Sequence, residues 1–175
     1  PKDFKDKILD ACEAIVDIIA DPGFKNLTRN AIPKGLAVPG ENEHTHFIAF
    51  DFGICINEAG EYEPQLIEMQ GFPTLFAYEV LIDEVFRQTH KVPDNFSAYL
   101  GGHDKASYIQ LLKDIIVGSH DPSEVILLEI FPHQQKTKID FYCTQDYLGI
   151  RPVCITELIR EGKKLYYLRD GVKTQ

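Results

Sequence analysis

Two carboxylates and a carboxamide are the side chains of this sequence whose types and spacing best suit chemistry. Asp51 sits inside the apolar run Phe47-Ile-Ala-Phe-Asp-Phe-Gly-Ile-Cys-Ile-Asn57. Glu68 and Gln70 close a second run, Pro64-Gln-Leu-Ile-Glu-Met-Gln70, which Gly71-Phe72-Pro73 ends abruptly. The two runs, roughly 46–56 and 63–69, read as strands of a hairpin around an acidic, Gly-containing turn. Alternation along a strand puts Glu68 and Gln70 on one face, and pairing brings Asp51 within reach of them. Three oxygen-bearing groups converging on one face suit a hard divalent cation such as Mg²⁺. Ile54, Ile56, Leu66 and Ile67 are expected to be buried, which leaves the acids without a packing role. The competing reading makes Asp51 and Glu68 ordinary surface acids of a hairpin, or partners of a distant lysine.

Other polar groups are weaker candidates. His133 and Lys136 follow the C-terminal end of a predicted strand, the edge where open α/β sheets bind ligands, and are candidate substrate contacts. No glycine-rich phosphate loop accompanies them, and Gly101-Gly102 belongs to no nucleotide motif. His44 and His46 share a strand face but have no third zinc ligand at suitable spacing. Glu58, Glu61 and Glu63 read as a solvated turn, and His90, His103 and His120 as loop or cap residues. Cys12, Cys55, Cys143 and Cys154 lie far apart in mostly apolar surroundings and are expected to be reduced thiols used as small apolar side chains.

The elements that must position these groups follow from periodicity. A first helix, with Asp3 as its cap, runs to about Ala20, and the segment 22–45 has little regular structure. After the hairpin, Pro73-Thr74 opens a helix to about Gln88, and His103-Asp104 caps another whose buried face carries Tyr108, Leu111, Leu112, Ile115 and Ile116. Residues 124–130 form a continuous apolar run, as for a strand covered on both faces. A helix over about 135–148, stopped by Gly149, and a strand over 151–155 complete a βαβ unit. A turn of helix at 157–160 and a small hairpin across Asp170-Gly171 follow. The expected fold is mixed α/β, a β-hairpin with packed helices over residues 1–118 followed by a small Rossmann-like βαβ portion over 119–175.

Bulk properties narrow the function. The 175 residues are 44% hydrophobic and 26% charged, with a formal charge of −9, which argues against a nucleic-acid surface. Ten acidic and no Lys or Arg residues lie between Glu41 and Phe86, so a phosphate ligand there needs intervening metal ions. No apolar run approaches the roughly 20 residues of a membrane span, and no signal peptide is visible, so the expected location is cytoplasmic. The chain begins without Met and ends shortly after a turn, and is read as a portion of a longer protein.

Phe-Asp51-Phe, the turn, and Pro64-Gln-Leu-Ile-Glu68-Met-Gln70 resemble the metal-binding hairpin of the ATP-grasp fold. With the hairpin ahead of the βαβ unit, the order is similar to the circularly permuted ATP-grasp family, which includes glutathionylspermidine synthetase-like ligases. The resemblance covers roughly residues 45–80 and 123–172 and implies the N-terminal portion of such a protein. It implies an ATP- and Mg²⁺-dependent carboxylate–amine ligase that passes through an acylphosphate, with small-molecule carboxylate and amine substrates. Asp51 matches the first-strand acid and Glu68 the bridging Glu, while Gln70 stands where the family has Asn. The family's nucleotide-clamping strands are not found up to Gln175 and are expected beyond it. The departure at Gln70 supports an alternative, a non-catalytic relative that binds a ligand or a protein.

Overall fold

The computed structural model describes residues 2–42, 44–71 and 75–175. They form a mixed α/β protein that separates into two compact units, residues 1–73 and 74–175. Sequence reading placed the division at 118/119. The helices over 78–116 belong with the later unit because they pack on its βαβ helix.

In the first unit, α1 (Lys2–Ala20) carries Asp3 in its first turn. A one-turn helix α2 (Phe24–Leu27) and a 3-10 turn at Arg29–Ala31 are the regular elements of the excursion that follows. Strands β1 (Ala49–Ile56) and β2 (Tyr62–Gln70) pair antiparallel as the expected hairpin. Helix α1 packs against β2, with Phe4 edge-on to Tyr62 at 6.4 Å between ring centroids.

The expected burial of the strand side chains does not hold. Ile54, Ile56, Leu66 and Ile67 are 70%, 68%, 45% and 70% exposed. No described residue of this unit is buried. Two strands and one helix offer too few layers to enclose side chains on both faces of a sheet.

The second unit holds the core. Its helices are α3 (Tyr78–Thr89), α4 (Lys105–Ile116) and α5 (Lys138–Leu148). Strands β3 (Ile126–Glu129) and β4 (Arg151–Cys154) pair in parallel on either side of α5, which realises the expected strand–helix–strand unit. The run at 124–130 is a shorter strand than expected and is not covered on both faces, since Leu128 is 47% exposed. A separate antiparallel sheet, β5 (Ile159–Glu161), β6 (Lys164–Arg169) and β7 (Val172–Thr174), closes the chain. The helical turn expected at 157–160 lies earlier, at Ile155–Glu157, and strand β5 takes its place. Val80, Leu112, Val117, Phe141, Leu148, Ile150, Val153 and Tyr167 are buried together with Cys143 and Cys154.

Local chemistry explains the helix ends. Asp104 accepts from the backbone N–H of Ser107, whose hydroxyl in turn accepts from the Asp104 N–H, a capping box at the start of α4. Gly149 ends α5 in the left-handed conformation at φ 78°, where a Cβ is disfavoured. The expected opening of α3 at Pro73-Thr74 lies outside the described residues, and the helix itself starts at Tyr78. Its N-cap, Ala77, has no side chain able to cap. The buried carboxylate of Asp140, on α5, does so instead. It accepts from the N–H groups of Leu75 (3.1 Å), Ala77 (3.1 Å) and Tyr78 (2.9 Å). An anion held by the orphan donors of a helix N-terminus is well placed electrostatically.

Candidate functional site

The hairpin brings Asp51, Glu68 and Gln70 together. Asp51 pairs directly with Glu68, and Ala49 with Gln70, so all four side chains leave the same face. The small side chain of Ala49 leaves room for Gln70 to lean across the ladder. The Gln70 amide nitrogen donates to Asp51 Oδ2 at 3.0 Å and to Glu68 Oε1 at 2.9 Å.

A register shift follows at once: Phe52 pairs with Leu66, which leaves Ile67 as an extra residue on β2. Such a bulge bends the strand and ends the regular ladder next to the acids. Both carboxylates are exposed and Gln70 is half-buried.

This arrangement fits a small hard cation by its donor set. The Gln70 N–H groups point at the spot between two anions, and each bond is charge-assisted. Rotating the amide about its last torsion exchanges nitrogen for oxygen and offers three oxygens to that same spot. Three oxygens so placed would suit a hard divalent cation such as Mg²⁺, which takes oxygen ligands. Among the described residues, no group of three or more His, Cys, Asp and Glu side chains is placed to hold a metal ion. The candidate set is therefore two carboxylates and one amide, and His44 and His46 join no such cluster.

His133 and Lys136 lie in the second unit. His133 follows β3 in a 3-10 turn, Pro132–Gln134, that begins after Phe131 in the left-handed region at φ 48°. Its ring stacks on Tyr142, with Nδ1 3.0 Å from the phenol oxygen. Lys136 is exposed and lies outside the lining of the small cavity at this strand edge, which Phe131, His133, Cys154 and Glu157 help to form.

Cys154 differs from the packed apolar thiol expected of it. Its sulfur accepts from the Thr156 hydroxyl at 3.0 Å and from the Phe131 N–H at 3.3 Å. These bonds, the Thr156 hydroxyl foremost, pull the thiol pKa below its ordinary value. The Thr two residues on is the only local sign of this in the sequence. Cys12 and Cys143 show the opposite shift, raised chiefly by burial, and no cysteine forms a disulfide.

No protein-family model, curated protein or solved structure matches the chain. No helix among the described residues is long and apolar enough to cross a membrane.

Proposed function

We propose that the chain is part of an ATP-grasp-like, ATP- and Mg²⁺-dependent carboxylate–amine ligase, with the β1–β2 hairpin as its metal-holding element. The observation that carries the reading is the meeting of Asp51, Glu68 and Gln70 on one hairpin face. Its support is the donor chemistry of that trio together with the resemblance of the two strand sequences to the family's hairpin. A bound Mg²⁺ would supply charge neutralisation for transfer of a phosphoryl group to a substrate carboxylate, the acylphosphate then being attacked by an amine. Asp51 and Glu68 provide the anionic oxygens and fix the position of the charge. Gln70 turns its amide oxygen inward when a cation is present and its nitrogen inward otherwise. His133 and Lys136 are the candidate substrate contacts, Lys136 as a cationic partner for a carboxylate.

The test is a titration with Mn²⁺, a paramagnetic surrogate, followed by NMR at physiological salt. Amide signals around residues 49–51 and 68–70 are expected to broaden first, and the effect should disappear in Asp51→Asn and Glu68→Gln. Broadening spread evenly over the acidic surface sinks the reading.

A second reading, a binding module without catalysis, is favoured by one observation. The Gln70 amide nitrogen bridges the two carboxylates by donating to one oxygen of each. The two readings separate on melting temperature with a non-hydrolysable ATP analogue. A Mg²⁺-dependent rise supports the ligase, and no rise supports the module.

A further inference from the structure

The hairpin of the first unit is a two-stranded sheet, so each strand has one edge that no strand covers among the described residues. At the turn, the Asn57 N–H donates to the Glu61 carbonyl at 2.9 Å, which fixes the phase of the ladder. Facing residues alternate between hydrogen-bonded and non-hydrogen-bonded pairs along an antiparallel ladder. Cys55 with Glu63 is therefore a bonded pair, while Ile56 with Tyr62, Ile54 with Pro64 and Phe52 with Leu66 are not. Pro64, which has no N–H to give, sits where the ladder asks for none. The N–H and C=O groups of Phe52, Ile54 and Ile56 thus point outward, away from β2.

The two edges are unequal. On β2 the outward set includes Pro64, which lacks a donor, the bulge at Ile67 bends the strand, and α1 packs against it. On β1 the register is unbroken from Ile56 to Phe52, and the strand holds no Pro, Lys or Arg, the residues that commonly blunt an edge. The residues with free backbone groups are also the apolar ones. Side chains of Phe52, Ile54 and Ile56 share one face, on which Ile54 and Ile56 are exposed.

The opposite face is acidic. It carries Asp51 beside Glu68 and Cys55 beside Glu63, with Gly53 between, where a Cβ would meet the end of Ile67 at 3.8 Å. Among the described residues, no ion pair engages Asp51, Glu63 or Glu68. A strand laid along β1 therefore meets negative charge at two places, at Asp51 directly and at Glu63 across the small side chain of Cys55.

We propose that the outer edge of β1 takes up an extended segment of a partner protein as a third strand, one in which apolar residues alternate with basic ones. Backbone groups of Phe52, Ile54 and Ile56 supply the ladder bonds, and the segment's apolar side chains cover the isoleucine face. Its Lys or Arg side chains, on the other face, meet Asp51 and Glu63. A second copy of β1 fits less well, since it brings another Asp51 and no cation. Docking at this edge does not depend on a metal ion between Asp51 and Glu68.

The experiment uses the whole chain with a chelator present, so its outcome is separate from that of the metal titration. The probe is the end-capped peptide Val-Lys-Val-Thr-Val-Lys-Val, which reads the same in both directions, followed by NMR and amide exchange. It is expected to slow exchange of the Phe52, Ile54 and Ile56 amides. It should bind roughly tenfold more tightly than the same peptide with Glu in place of Lys, the scale of two partly exposed ion pairs. Glu63→Gln should narrow that preference, and N-methylation of the two central valines should abolish binding. Ile54→Pro, which removes an outward donor, should weaken binding as well. Should the hairpin signals be lost in that variant, Ile54→Lys serves instead, with the same expectation. Equal or tighter binding of the Glu peptide overturns the basic partner. Protection of the same amides without peptide, together with a dimer in sedimentation, overturns the partner in favour of a second copy. Protection elsewhere, or none at millimolar peptide, overturns the site.

Discussion

Asp140 is the residue whose removal should cost the fold most. Its buried carboxylate accepts from three backbone donors at the start of α3. Asp140→Ala is expected to destabilise the chain by about 2–4 kcal/mol, as the loss of a buried charge-assisted cap, measured by urea denaturation. Asp140→Asn keeps one acceptor oxygen and should fall between. Gln70 should respond in the opposite sense to its two states. Gln70→Glu places a third anion beside Asp51 and Glu68, so it should lower metal-free stability and tighten Mn²⁺ binding, both readable in one melting series with and without metal. Asp104 gives a pH signature. Hydrogen bonds from Ser107, the backbone N–H first, hold its pKa below the ordinary carboxylate value. The stability it contributes is therefore fully present above the unfolded pKa of about 3.9 and is lost as pH falls through the lowered folded value. Acid titration of Asp104→Asn should lose that part of the slope, the variant falling below the parent at neutral pH and meeting it at low pH.

At the scale of elements, the hairpin and the βαβ unit were legible because their signals are local. Strand alternation and the turn at Asn57–Gly60 set the pairing from Ile56 with Tyr62 up to Phe52 with Leu66, and the bulge that follows is what brings Asp51 opposite Glu68. The bulge at Ile67 was not legible, since its one-residue slip depends on how two strands twist together rather than on either strand's composition. Deleting Ile67 should make the ladder continuous, with the cross-strand NOEs of Asp51 with Glu68 and of Phe52 with Leu66 both kept. The C-terminal end of α5 was read correctly from Gly149. Its φ of 78° leaves a Cβ strained, so Gly149→Ala should cost about 1 kcal/mol by thermal denaturation. The first turn of α3 was not readable in the same way, because its cap is supplied from 63 residues away in the chain.

For the whole molecule, the burial is unequal. Every buried residue among those described lies in the unit of residues 74–175, and none in residues 1–73. Hydrogen exchange should therefore give amides of α5 and β4 the greatest protection, while those of β1 and β2 exchange by low-energy opening. Comparable protection of hairpin and α5 amides counts against that ranking. Mass spectrometry of peptides 47–57 and 138–154 suffices to compare them.

The sequence by itself determined the mixed α/β class, the hairpin, the parallel strand pair around α5, and the placing of Glu68 and Gln70 on one strand face. Each rests on interactions between residues close in sequence or on a strand period that a reader can count. The tertiary structure decided what distance in the chain hides. It joined α3 to the βαβ unit through Asp140 and packed α4 on α5, brought Asp51 to the face of Glu68 and Gln70 through the bulge at Ile67, left the hairpin isoleucines exposed, turned the Gln70 amide nitrogen toward both acids, and formed an aromatic cavity beside α3. These outcomes depend on which surfaces meet and in what orientation, and a linear pattern of apolar and polar residues carries neither.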